Sequence, residues 1–284
     1  MLRIPPVTIR IRTNLPLVEK HLAFFYSACA YIPAISSDDF IDLDVAILPG
    51  IGFRRVWRPQ ARFLLDNNEP FLPLPIDQAA PLLEWGLNWC MASRPMGYLA
   101  IHAAVIARGG QALLLPGFPG AGKSTLCASL VFLDGWRLLS DELGLLDPAS
   151  GDILPHPRPI NLKNQSIDIV AGFSGARVGP RYLDTRKGTV ALAAPPEDSI
   201  RQGEDPARCR WVVFPSYAPG EEGWCEEISK AESFALIAEQ SFNKDRMGAV
   251  GFAALCGMLE DARCFQIGYR STQEALELIN HICG

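Results

Sequence analysis

Eight consecutive residues, Gly117-Phe118-Pro119-Gly120-Ala121-Gly122-Lys123-Ser124, carry the most specific chemistry in the chain. They fit G-x-x-x-x-G-K-[ST], the pattern of a loop that cradles the phosphates of a nucleoside triphosphate. Glycines let the backbone curl until successive N–H groups point inward at phosphate oxygens. Lys123 can then reach the β- and γ-phosphates, and the Ser124 hydroxyl can ligate Mg²⁺, with Thr125 following in the first helical turn. Such a site also needs a carboxylate for the metal and, in a kinase, a base for the acceptor hydroxyl. Leu138-Leu139-Ser140-Asp141-Glu142 supplies two carboxylates after a short apolar run, beginning eighteen residues after Lys123. In open α/β sheets the C-terminal ends of strands are where ligands bind. By reach, Asp141 would take the proton and Glu142 would hold Mg²⁺ with Ser124. The opposite assignment, with Asp141 on the metal, fits the same spacing.

These residues need a strand, a loop and a helix to hold them. Gln111 to Leu115 is a short apolar run that reads as a buried strand. Ser124 to Phe132 reads as a helix, stopped by Asp134-Gly135. Upstream, Leu99 to Ala107, then Arg108-Gly109-Gly110, then Gln111 to Leu115 reads as a β-hairpin feeding the loop. His102 sits in the apolar arm of that hairpin. It is either a core histidine or a group brought toward the phosphates. Trp136 to Leu139 and Arg210 to Phe214 are further strand candidates. Ser229 with Glu232 and Ser271 with Glu274 have capping-box spacing, and Phe252, Leu255, Cys256 and Leu259 mark an amphipathic helix between them. Strands alternating with helices imply an α/β core. The segment from His156 to Gly188 has weak periodicity and reads as a long, mobile, cationic loop. It holds Arg158, Lys163, Arg177, Arg181, Arg186 and Lys187, which can meet charge on a transferring phosphoryl group.

Residues 1–93 read as a β-rich region ending in a helix, and 94–284 as the catalytic domain. Val7 to Arg12 and Phe40 to Val45 alternate like half-buried strands. Asp77 to Ala92 reads as a helix whose stripe of Leu82, Trp85, Gly86 and Trp89 faces a core. Arg54, Arg55, Arg58 and Arg62 form a basic patch, either a solvated face or a dock for an acidic peptide. At 284 residues and 49% hydrophobic content the chain can bury a sizeable core. A net charge of −5 argues against nucleic acid as a partner. No stretch approaches a membrane span, and Met1 to Pro6 has no signal-peptide core, so a cytoplasmic location is expected. The eight cysteines show no C-x-x-C spacing and read as reduced, mostly buried thiols.

Together these pieces resemble the catalytic C-terminal domain of the HPr kinase/phosphorylase family, and most closely its HPr-related kinase A type. The resemblance rests on the His102 strand, the Gly117–Thr125 loop and Arg137 to Glu142. It is extended by Pro157-Arg158-Pro159-Ile160-Asn161-Leu162-Lys163, by Lys187-Gly188-Thr189-Val190 and by Ser241-Phe242-Asn243. It implies a phosphoenolpyruvate-carboxykinase-like P-loop fold and transfer of the ATP γ-phosphoryl group to a serine of a peptide or small protein. It also implies Asp141 as the base, His102 near the phosphates, and Arg158 and Lys163 as catalytic cations. Family members form rings, so assembly of identical chains is implied too. Glu142 stands where HPr kinases carry aspartate, and residues 1–93 do not look like their regulatory domain. A ribosomally made peptide or small carrier protein is therefore the expected acceptor. A small-molecule kinase and a nucleotide-dependent binding module or NTPase share the same motifs.

Overall fold

The computed structural model describes residues 1–30, 40–94, 96–118 and 120–284. The N-terminal part comprises β1 (Leu2–Ile4), β2 (Val7–Thr13), α1 (Pro16–Phe25), β3 (Leu43–Pro49), β4 (Gln60–Leu65), β5 (Leu74–Pro75) and α2 (Ala79–Ser93). Its strands form one sheet in the order β1-β2-β3-β4-β5. Only β2 and β3 run parallel, joined through α1. Alternation sets the buried face: Val7 and Ile9 point inward while Thr8 and Arg10 do not. Both helices pack on the sheet through Val18, Leu22 and Phe25 of α1 and Leu83, Leu87 and Cys90 of α2. Glycine is required at position 86, because a Cβ there would stand 2.0 Å from the Phe63 ring. This core continues into Ala100, Leu143, Leu145, Leu192 and Ala194, so the N-terminal sheet is closed by residues from the rest of the chain.

The remainder runs β6 (Leu99–Ile101), β7 (Ala103–Arg108), β8 (Gln111–Pro116), α3 (Lys123–Leu133), β9 (Arg137–Ser140), β10 (Gly144–Leu146), β11 (Asp152–Leu154), β12 (Ile160–Lys163), α4 (Gln165–Ala171), β13 (Tyr182–Thr185), β14 (Gly188–Ala193), α5 (Glu197–Arg201), β15 (Ala207–Tyr217), β16 (Trp224–Glu227), α6 (Lys230–Glu239), α7 (Lys244–Glu260), β17 (Arg263–Tyr269) and α8 (Thr272–Cys283). The main sheet has the order β6-β10-β11-β15-β8-β7-β9, with β17 beside β15 and β16 outside β17. β15 runs parallel to both β8 and β17, whereas β7 is antiparallel to β8 and β9. One face is covered by α3 and α8 through Leu126, Cys127, Leu130 and Ile279. The other is covered by α6 and α7 through Ile237, Leu255, Met258 and Leu259. The fold is thus mixed α/β, with a third sheet, β12-β14-β13, packed beside α3 through Ile160 and Leu162, together with Ile167 and Val170 of α4.

The hairpin, the helix after the glycine loop and the three closing helices lie where the sequence puts them. Ser229 and Ser271 each accept a bond from the N–H of the glutamate three residues on. Three expectations need correction. Residues 156–188 are not one long loop: they contain β12, α4 and β13 and lead into β14. β12 and β13 are about four residues long, too short for alternation to show, and β12 pairs with residues some thirty positions on while β13 pairs locally with β14. The arm from Leu99 is broken at His102, whose N–H bonds to Gln240 O at 2.7 Å instead of to a neighbouring strand. The tryptophan stripe of α2 is only half core. Leu82 and Gly86 are buried, but Trp89 is 39% exposed and Trp85 lies under Lys187. No helix among the described residues is long and apolar enough to cross a membrane.

Candidate functional site

The glycine loop joins the end of β8 to the start of α3. Gly117, Gly120 and Gly122 have φ of 150°, 93° and 86°, values that L side chains rarely adopt. Gly122 is doubly constrained, because a Cβ there would also lie 2.4 Å from the Tyr269 hydroxyl. It precedes α3 as a left-handed cap, and no side chain caps the helix. The first helical hydrogen bond runs from Leu126 N to Gly122 O, at 2.9 Å. The amides of Lys123, Ser124 and Thr125 therefore lack an intrahelical acceptor and sit at the positive end of an 11-residue helix. That is an anion-binding geometry. Phe118 is 57% exposed at the loop's rim, with Ala121 closing the turn through its N–H to Phe118 O. Pro119 lies outside the described residues.

Lys123 is buried, and its ammonium donates to the carbonyls of Gly117 and Phe118. Burial lowers its pKa most; Asp141 and Glu142 oppose that shift and Lys163 adds to it. Its neighbour Ser124 donates to Asp141 Oδ2 at 3.1 Å. The same oxygen accepts the Asn161 backbone N–H at 2.8 Å, from β12. Asp141 Oδ1 is buried and has no hydrogen-bond partner among the described residues. Burial pushes the Asp141 carboxyl up to about 7, and the Glu142 charge pushes in the same direction. Asn161 N–H, Ser124 and Lys123 pull it down by less. An acid poised there suits proton transfer near neutral pH. Glu142 turns to two amides, accepting from Asn88 Nδ2 and, at 3.3 Å, from Asn161 Nδ2.

His102 lies in the gap between β6 and β7 and stacks on Phe242, with ring centroids 5.5 Å apart. Its pKa is lowered, first by burial and then by Lys123, Lys163 and Lys187, with Glu142 opposing. The histidine thus stands among the same charges as the loop lysine and the acidic pair. Lys163 ends β12 and Lys187 lies in the β13–β14 turn, and neither is paired with a carboxylate among the described residues. Arg158 is placed otherwise. Its guanidinium is buried and donates to Asn88 Oδ1, to Glu84 O at 2.8 Å and to the Glu84 carboxylate. Glu84 also accepts from the Tyr26 hydroxyl and from His21 Nε2 at 2.7 Å. Its own burial opposes ionisation, yet Arg158 and His21 win and hold its pKa at about 2.

The oxygens of Ser124 and Glu142, with Asp141 beside them, form a hard donor set that suits Mg²⁺, and the unpartnered Asp141 Oδ1 has room for either a metal or a proton. No protein-family model matches the chain, and no curated protein matches it. Sequence reasoning did not single out Asn88 as a site residue, and it met Asn161 only as part of a longer motif. Asn88 sits on α2 beside an apolar stripe, 54 residues before its partner Glu142, and nothing local marks it.

Proposed function

We propose that this chain is an ATP-dependent serine kinase of the P-loop, phosphoenolpyruvate-carboxykinase-like kind. It would transfer the γ-phosphoryl group to a serine of a peptide or small protein in the cytoplasm. The observation that carries the reading is the 3.1 Å bond from Ser124 to Asp141, which ties the anion-binding loop directly to a carboxylate with a pKa near 7. The amides of Lys123, Ser124 and Thr125 would hold the triphosphate, and Lys123 would leave its two carbonyls for the β- and γ-phosphates. Ser124 and Glu142 would hold Mg²⁺, with Asp141 at its margin. When bound, that ion neutralises charge shared by the β- and γ-oxygens. Asp141 Oδ2 is already engaged by Ser124 and Asn161, which leaves Oδ1 to receive the proton of the acceptor hydroxyl. The serine oxygen bonds to the γ-phosphorus as the bond to the β,γ-bridging oxygen breaks, and ADP departs with that electron pair. Lys163, Lys187 and His102 border the same charges and would face the transferring group.

The test is incubation of the protein with [γ-³²P]ATP, Mg²⁺ and a panel of serine-bearing peptides, acidic ones included. Label on a peptide serine, lost in Asp141→Asn by roughly 10²–10⁴-fold while nucleotide still binds, is the expected result. Steady ATP hydrolysis with no label on any hydroxyl would reject the kinase in favour of an NTPase.

A further inference from the structure

The Glu142 carboxylate is held in an unusual way. No lysine or arginine pairs with it among the described residues; two neutral amides, Asn88 and Asn161, do the holding. Neutral donors fix an anion's direction without cancelling its charge. Asn161 belongs to the same half of the fold as Glu142, since its own N–H is bound to Asp141. Asn88 does not: it comes from α2, the helix that lies on the N-terminal sheet.

The orientation of Asn88 is determined by its other partner. Arg158 has donors only, so it requires the amide oxygen and turns the NH₂ group toward Glu142. Arg158 cannot drift, because Glu84 grips it through both a carbonyl and a carboxylate, and His21 of α1 and Tyr26 just after it brace Glu84. An unbroken chain of bonds therefore runs from α1 through Glu84, Arg158 and Asn88 to Glu142. Beside it lies a cavity of about 20 Å³, lined by Asn88, Asp141, Glu142, His156, Arg158 and Asn161 among others. That volume suits one water. Four polar atoms of its lining residues lack a partner among the described residues: Asp141 Oδ1, Asn161 Oδ1, His156 Nε2 and Arg158 Nε. His156 donates Nδ1–H to Pro5 O, so a second bond ties the N-terminal part to a residue that lines this cavity.

We propose that Asn88 is a positioning residue for the acidic pair, through which the N-terminal sheet and its helices set Glu142 beside Asp141. The inference rests on the phosphoryl-transfer reading of that pair. Residues 1–93 are then part of the catalytic apparatus, and the site is incomplete without α2.

The test uses the full chain. Asn88→Ala removes both bonds; Asn88→Asp keeps an acceptor for Arg158 but turns a second carboxylate on Glu142. Each variant is compared with wild type by urea unfolding, by transfer kinetics, and by calorimetric titration of Mg²⁺ into protein saturated with a non-hydrolysable ATP analogue. Removing an outer support of a metal ligand weakens metal affinity or activity roughly 10–100-fold. The expected result is a fall of that size in kcat and in Mg²⁺ affinity for both variants, with analogue affinity in EDTA unchanged within twofold. Asn88→Gln, which keeps the amide, should recover part of the loss. Should Asn88→Ala fail to fold, Asn88→Asp decides alone. Wild-type values for kcat and Mg²⁺ binding in a folded Asn88→Asp overturn the positioning role. A wild-type protein that transfers nothing overturns the kinase reading instead.

Discussion

Asp141→Asn should make the protein more stable, increasingly so as the pH rises. Asp141 is 5% exposed, and burial followed by the Glu142 charge raises its pKa from the ordinary 3.8 to about 7. The sign follows from proton counting. Below the ordinary value both folded and unfolded chains carry the proton, and the group adds nothing to the pH dependence. Between there and about 7 the folded chain keeps a proton that the unfolded chain has lost, so stability falls as pH rises. Above about 7 the whole penalty is present. A displacement of roughly three pH units corresponds to about 4 kcal/mol at 1.36 kcal/mol per unit. Asparagine escapes it. Its oxygen can still accept from Ser124 and from Asn161 N–H, and its NH₂ replaces an oxygen that has no partner. Urea unfolding followed by circular dichroism in EDTA, at pH 4.5, 6 and 8, measures the difference. Wild type and variant differ in this one titrating group, whose charge also raises the Lys123 pKa, so the difference reports Asp141 with that coupling included. The expected gain is about 1 kcal/mol at pH 4.5, rising toward about 4 at pH 8. A difference that does not change with pH, or a variant less stable than wild type at pH 8, would refute the account of Asp141.

Lys123→Ala should leave the fold intact and lower transfer by about 10²–10³-fold, because it removes a preorganised cation from the phosphates; equal rates in a single-turnover assay would contradict that. Gly122→Ala should lower the melting temperature, since a left-handed alanine costs about 1–2 kcal/mol and its Cβ meets the Tyr269 hydroxyl, and adding Tyr269→Phe should recover part of the loss. Glu84→Gln leaves Arg158 without a buried counter-charge and should destabilise by about 3–5 kcal/mol. Despite burial, Arg158 and His21 hold Glu84 near 2, so its stabilisation is full above the ordinary 4.5 and fades as pH falls toward 2; acid titration of the unfolding midpoint reads both effects. Exchanging Arg54, Arg55 and Arg58 for glutamate should raise the KM for acidic peptide acceptors several-fold and leave ATP binding unchanged, because these arginines pair with no carboxylate among the described residues and flank the exposed Phe53 and Trp57.

What could be read in the sequence was what depends on neighbours along the chain. The glycine loop, α3, the β7–β8 hairpin turned at Gly109-Gly110 and the serine caps of α6 and α8 all carry their signals within a few residues. Asp141 was legible as a candidate because a strand runs straight into it. Its high pKa was not, since that depends on burial and on the Glu142 charge. The third sheet escaped because β12 and β14 meet across some thirty residues, Ile160 opposite Ala193. Asn88 escaped for the same reason, compounded by the fact that an asparagine beside apolar residues looks like the polar edge of any helix.

Arg158 shows how existing partners separate two cations that the sequence places on equal terms. An incoming triphosphate would recruit Lys123 by exchanging its hydrogen bonds to two neutral carbonyls, each worth about 1.5–3 kcal/mol net, for bonds to charged oxygens, and would leave no buried charge unpaired. Recruiting Arg158 would mean breaking a buried pair with Glu84, at about 3–5 kcal/mol, and stripping Asn88 of the partner that orients it. Lys163 and Lys187 have no carboxylate to leave among the described residues. The charge that follows the phosphoryl group should therefore come from lysines, and the arginine should act at a distance by keeping Asn88 and Glu142 in place. An Arg158→Lys enzyme ought accordingly to lose unfolding stability and Mg²⁺ affinity while its KM for ATP stays near the wild-type value. A rise in that KM with stability unchanged would put Arg158 on the phosphates and reverse the assignment.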